Sequence, residues 1–272
     1  MERSFVEKMK KRVRPFRAKC RMIWALAKND FKSKYATSQL GLFWAFFRPI
    51  VMAGVYIFVF SVIGRATPVG GVYPYALWML PGLIVWFVFS DSVSSGVTTL
   101  SDYSYLVKNI KFDISVLPYV KVAAAFIIHT FFIFLIIILY IIFGLPINVT
   151  LVQLPYYYLA TFCFTVAITR IVCTIQPFFK DLSVAMEIIL MVGIWASPIM
   201  WSLEMIPQKL WWIFKANPMY YLVNGYRESY MGMGWFWNHW VQTAAFWGVT
   251  ILLTLIGKLM FRKLSDHFAD MI

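Results

Sequence analysis

Six long apolar stretches alternate with short polar or proline-broken links along this chain. They run from about Leu42 to Ile63, with Arg48 and Pro49 inside, then from Tyr75 to Val97 and from Val116 to Phe143. Three more run from Leu154 to Ile175, from Leu182 to Trp201 and from Val241 to Phe261. A helix needs roughly 20 apolar residues to cross about 30 Å of hydrocarbon, and each stretch is near that length. The pattern predicts an all-α membrane protein with six transmembrane helices.

Two segments depart from this alternation. In residues 20–34, Ile23, Leu26, Ala27 and Phe31 recur at helical spacing among Arg21, Lys28, Lys32 and Lys34. That pattern predicts an amphipathic helix lying in the membrane interface. Residues 202–240 are too apolar for a soluble loop, and Pro207, Pro218 and Gly225 break them too often for one plain span. They are expected to form short re-entrant helices, because irregular backbone at membrane depth must be shielded by protein or a water-filled cavity. An aromatic loop lying on the interface is the alternative.

Composition sharpens the picture. The chain is 61% hydrophobic and 14% charged, against about 45–50% and about 25% in soluble domains. Its net charge is +13, and twelve lysines and arginines crowd the first 34 residues. A charge gathered in one arm fits an anionic lipid surface better than nucleic acid. The arm, then Lys108 and Lys111, then Lys180, then Lys258, Arg262 and Lys263 fall on one side. Arg65, Lys209, Lys215 and Arg227 fall on the other. The positive-inside rule then places both termini in the cytoplasm. Three divisions follow: a basic arm and interfacial helix at 1–38, a six-helix domain at 39–263 and a cytoplasmic tail at 264–272.

Charged residues within the spans are candidates for function, because each is costly there. Arg48 and Lys121 lie near span ends and are expected to snorkel to the headgroups. Asp91, Arg170 and Glu187 lie deeper. Arg170 paired with Asp91 or with Glu187 is one arrangement, and the sequence leaves the partner open. Phe43, Trp44, Phe46 and Phe47 crowd the start of the first span. Such faces serve either lipid or the apolar faces of sugar rings. Arg48 beside them offers a planar fork for a diphosphate. Between spans two and three, Tyr103, Leu106, Val107 and Ile110 make one apolar stripe, with Lys108 and Lys111 off it.

The chemistry that is missing also informs. Cys20, Cys163 and Cys173 have no metal-ligand spacing. There is no phosphate loop of the form GxxxxGK[ST], no HExxH and no CxxC. Neither a catalytic constellation nor a cofactor or metal site is expected in this chain. A membrane machine without an engine implies one half of a transporter driven by a partner. A polyprenyl transferase would need clustered acids for magnesium, and Asp91, Asp102 and Glu187 are scattered. An ion-coupled carrier, with Arg170 as a relay, is the other remote alternative.

Several strings together resemble the permease subunit of ATP-binding-cassette exporters of lipid-linked cell-surface polymers. They are NDFKSKYATSQLGLFWAFFRP at 29–49, YLVKNIKF at 105–112 before Leu117-Pro118, and FFKDLS at 178–183. Ser197-Pro198-Ile199, Pro207, Asn217-Pro218-Met219, Arg227 and the ending FRKLSDHFADMI complete the set. Lys34 and Lys180 stand where the family often has Arg, Asp113 where it often has Pro, and Tyr103 where it often has Asn. The departures touch partner choice more than fold. The subfamily most similar is the wall teichoic acid exporter, with O-antigen or capsular polysaccharide export as the alternative.

The resemblance implies two copies of this chain around a pathway in the bacterial cytoplasmic membrane. It implies two copies of a separate ATPase carrying ATP and Mg, and a polymer on a polyprenyl diphosphate lipid. Contact with the ATPase is then expected from Asp30, Lys34, Tyr103, Leu106, Val107, Lys108, Ile110, Lys111 and Phe112. The substrate path is expected along Tyr35, Phe43, Trp44, Phe47 and Arg48.

Overall fold

The computed structural model describes residues 2–36, 39–63, 73–108 and 112–271, and these are helices joined by turns. Helix α1 covers Glu2–Ala36, far longer than the interfacial stretch expected at 20–34. Helix α2 covers Phe43–Ile57 and continues as a wider π turn over Phe58–Ile63. Pro49 lies inside α2 without ending it. A proline costs a helix one hydrogen bond, and spans tolerate this where neighbouring groups satisfy the freed carbonyl. Helix α3, Tyr75–Asp102, likewise runs through Pro81.

One turn, α4, covers Ser104–Val107. Helix α5 follows at Leu117–Ile142, with Pro118 in its first turn, where a missing N–H costs nothing. Helix α6 covers Leu154–Ile175, and α7 covers Leu182–Ala196. The short α8, Trp211–Lys215, and α9, Pro218–Met231, precede α10 at Trp240–Leu264 and α11 at Phe268–Met271.

Five helical stretches among the described residues are long and apolar enough to cross a membrane: Phe43–Ser61, Tyr75–Asp102, Ile114–Ile142, Val149–Ile175 and Phe236–His267. The expected fifth span is the exception. Helix α7 has 15 residues and stops at Ala196, because Pro198 pushes Ser197 to φ −98° and ψ 131°.

Helix α3 is the axis of the bundle. In its apolar window 72% of residues are buried, against 11% for the α2 span and 22% for the α10 span. It packs on α5, α6, α7 and α9. The last of these, α9, lies in the segment expected to be re-entrant. Asn217 caps it by accepting from the Met219 N–H at 2.9 Å, Pro218 opens it and Gly232, at φ +72°, closes it. Eleven of its 14 residues are buried, so α9 is a core helix rather than an interfacial loop. Its approach to α6 requires glycine: a Cβ on Gly225 would meet the Tyr157 ring at 2.0 Å.

Among the described residues, the two largest of three apolar clusters position the site. The larger joins α3, α5, α6 and α9. The smaller gathers Ala27 of α1, Val107 of α4, Leu117 of α5, Cys173 of α6, Phe261 of α10 and Phe268 of α11 at one end of the bundle.

Candidate functional site

Charged side chains of α1, α3 and α5 pair where α1 crosses the bundle. On α1, positions 23, 26, 27, 30, 31 and 34 follow helical spacing and face the bundle together. Ile23, Leu26, Ala27 and Phe31 supply its apolar part and pack in the smaller core. Asp30 and Lys34 lie on the same stripe, so two charges are carried against the bundle and need partners.

Asp30 finds Lys121 of α5, with Nζ 2.7 Å from Oδ1. The same ammonium reaches Asp102 Oδ2 at the end of α3, at 3.0 Å. The Tyr103 hydroxyl donates to Asp30 Oδ1 at 2.8 Å, and the Lys121 ammonium lies 5.2 Å from the Tyr103 ring centre. Burial first, and the Asp30 charge second, push the Tyr103 phenol up, so it stays a neutral donor. Lys121 and Asp30 side chains are only 8% and 13% exposed. This overturns the expectation that Lys121 snorkels to lipid. An anion on α1 offers a paired site, and its position overrides the pull of the headgroups.

Lys34 makes a second bridge. Its ammonium is 2.5 Å from Asp91 Oδ1 and 3.4 Å from Ser95 Oγ, both on α3. Tyr35 follows; burial, with help from Asp91 and against the pull of Arg48, raises its hydroxyl to about 12. Further back on α1, Lys19 Nζ lies 2.7 Å from Asp113 Oδ2. Partial burial works against the Asp113 carboxylate, but Lys19 and Ser115 outweigh it and hold the group below its ordinary value. Between α1 and the α3–α4 corner lies a cleft of about 460 Å³, bordered by Asn29, Ser33, Thr98, Asp102 and Tyr105.

The apolar stripe on α4 is buried inside its own chain. Tyr103 and Val107 are 6% and 5% exposed and share the smaller core, and Leu106 and Phe112 pack against it. Neither lipid nor another protein is needed to cover those side chains. What α4 leaves outward is Tyr105, 65% exposed, with Lys108 beside it. Tyr105 lay off the stripe and so escaped the sequence reading. Ile110 and Lys111 lie outside the described residues.

The remaining expected residues are dispersed. Arg170 is buried with its guanidinium 5.2 Å from the Phe261 ring centre, and its Nε has no hydrogen-bond partner among the described residues. No ion pair joins it to Asp91, which Lys34 engages, or to Glu187, which is exposed on α7. On α2, Phe43 and Phe47 stack at 4.7 Å with Trp44 edge-on to both, and Arg48 is exposed beside them.

Arg227 corrects the charge count. Assigned above to an outer loop, it is 4% exposed within α9. Its Nε donates to Trp78 O at 3.2 Å, Nη1 to Pro198 O at 2.8 Å and Nη2 to Ile199 O, with the fork 3.6 Å from the Trp78 ring centre. The residue ties the turn after α7 to α3, so it is no measure of topology.

Five candidate spans, a buried core helix and an ion-paired α1 make this a multi-pass helical membrane protein. Residues 21–231 match the ABC-2 type transporter family, and the chain belongs to it. Among curated proteins it is similar to an O-antigen export system permease protein RfbA of Klebsiella pneumoniae, with 25% identity over 252 residues. That alignment covers 92% of this chain and 95% of the relative. A protein of the same description from Myxococcus xanthus is 26% identical over 257 residues, with the same coverage.

Proposed function

We propose that this chain is the membrane half of an ATP-driven exporter of a lipid-linked surface polysaccharide in a bacterial cytoplasmic membrane. Two copies would enclose the pathway, and a separate ATPase would dock at the α1–α4 end, on the cytoplasmic side with both termini. Of the polymers the sequence left open, O-antigen has more support than teichoic acid, because the relatives bear that name.

The observation that carries this assignment is the braced junction. Asp30 and Lys34 bind α1 to α3 and α5 through Lys121 and Asp91, so a load applied to α1 or α4 is passed to two spans at once. Tyr105 and Lys108 face outward beside that junction and offer the ATPase its contact. The aromatic face of α2, with Arg48, suits a sugar chain and its diphosphate. An ion relay loses its motive, since Arg170 meets neither Asp91 nor Glu187.

The test is reconstitution of the chain with its ATPase in vesicles, followed by the movement of a polyprenyl-diphosphate-linked glycan between leaflets. Movement is expected to require ATP and to survive collapse of the proton gradient. Transport that proceeds without the ATPase, or that stops with the gradient, overturns the assignment. Offering O-antigen and teichoic acid precursors in parallel decides the polymer.

A further inference from the structure

The last described turn of the chain carries one buried side chain, Phe268. Helix α10 ends at Leu264, a 3-10 turn over Ser265–His267 redirects the backbone, and α11 brings Phe268 back under the bundle. Phe268 is 0% exposed, while Asp266 and His267 beside it are exposed. A helix of four residues does not hold itself in place, and here one buried aromatic side chain anchors it.

What that ring touches is the informative part. It lies edge-on to Phe261 of α10, at 5.3 Å and 74°. It also lies 6.1 Å from Phe178, in the link between α6 and α7. Helix α11 packs against α4, and Phe268 belongs to the same apolar core as Tyr103 and Val107. One side chain therefore bridges the two connections at this end of the bundle, the α3–α5 corner and the α6–α7 link.

Helix α4 needs such support. It is four residues long, and a single helical turn does not hold itself in place. It shares its apolar cluster with Ala27 of α1 and Phe268 of α11, and α11 packs against it. The α6–α7 link has the same character, a run of turns at 176–181 without a helix of its own.

The geometry points to Phe268 as a positioning residue for energy coupling. It seats α4 against the α6–α7 link, so that displacement of α4 is delivered to α7 as well as to α3 and α5. Its role rests on α4 being the ATPase contact proposed above. A tail that only shields the core would need an apolar residue but would not affect how hydrolysis is tied to export.

The experiment uses the full complex with the partner ATPase in vesicles and compares Phe268→Ala, Phe268→Leu and Tyr105→Ala. Phe268→Ala is expected to assemble with the ATPase and hydrolyse ATP near the wild-type rate, while export falls about tenfold, a typical coupling effect. Phe268→Leu, which keeps apolar bulk, is expected to restore most of the export. Wild-type export by Phe268→Ala overturns the role. So does loss of assembly or of protease resistance in Phe268→Ala that parallels its loss of export, since the residue is then only a support. Tyr105→Ala separates the two layers. If it abolishes export while Phe268→Ala does not, α4 remains the contact and only the role of Phe268 fails. If it exports normally, α4 is not the contact and the role of Phe268 falls with it.

Discussion

Lys121 shows what a single residue hides from a one-dimensional reading. It sits near a span end, where a long basic side chain usually reaches for headgroups. Its partner Asp30 lies 91 positions earlier. The signal was present in halves: an acid on the apolar stripe of α1, and a base inside a span. Only the crossing of α1 over α5 joins them. Removing one member of a buried ion pair leaves the other uncompensated, at about 3–5 kcal/mol. Lys121→Met is therefore expected to lower thermal stability markedly in detergent. Asp30→Asn combined with Lys121→Met is expected to recover part of that loss, as a double-mutant cycle measures. Additive losses would show that the two residues are not coupled.

The exposed pair Lys19–Asp113 makes a separate statement about pH. Its carboxylate is held below the ordinary value of 3.8 in the folded chain. A lowered acid contributes stability above its unfolded pKa and loses it as pH falls through the folded one. Docking of the arm through this pair is expected to be constant at neutral pH and to weaken only in acid below that value. Hydrogen exchange of residues 17–22 across that range checks the expectation, and Asp113→Asn should remove the dependence.

At the scale of elements, the chain's local chemistry was largely readable. Helix α6 begins and ends where its apolar run does, at Leu154 and Ile175. Pro218, expected as a break, opens α9, but Gly225, expected as another, sits inside it, and the Gly232 that closes it was not singled out. Harder to read was what lies between those ends. The buried surface of α9 includes Tyr226, Arg227, Glu228 and Ser229, a polar string that looks like a loop until its partners appear. Tyr226 bonds His129 at 2.8 Å, and Arg227 takes its three carbonyls. The closest contact of this element is also its most vulnerable. Gly225→Ala would drive a methyl group into Tyr157. Overpacking of this kind costs about 1–3 kcal/mol or more, and the variant is expected to melt earlier and express poorly. Gly54→Ala in α2, where nothing lies within 4 Å of the new Cβ, is expected to be neutral or slightly stabilising. Equal melting of the two variants would contradict the packing of α9 on α6.

The molecule as a whole is unevenly covered. Phe43, Trp44, Phe47, Met52 and Val55 of α2 and Phe58 of the π turn after it are all more than a third exposed. Under the two-copy arrangement proposed above a second copy would face this surface, and the sequence does not separate the cases, because lipid-facing and copy-facing residues are equally apolar. A single cysteine placed at Met52 or Val55 is expected to form a cross-link between copies in native membranes. Cross-linking confined to the α10 face instead, for example through Leu252 or Leu259, would place the two copies the other way round.

The brevity of α7 has a consequence for the bilayer itself. Fifteen residues at about 1.5 Å each reach about 22 Å, well short of about 30 Å of hydrocarbon. A short apolar helix with an exposed flank draws the leaflets together around it. Val184, Ile188, Met191 and Trp195 form such a flank. Beside α7 the membrane would then be dimpled, and a lipid-borne headgroup would have less oil to cross there than elsewhere. Acyl-chain length becomes a dial on the machine. Vesicles of 14-carbon lipids are expected to sustain faster translocation than vesicles of 22-carbon lipids, at equal protein insertion and equal ATP hydrolysis.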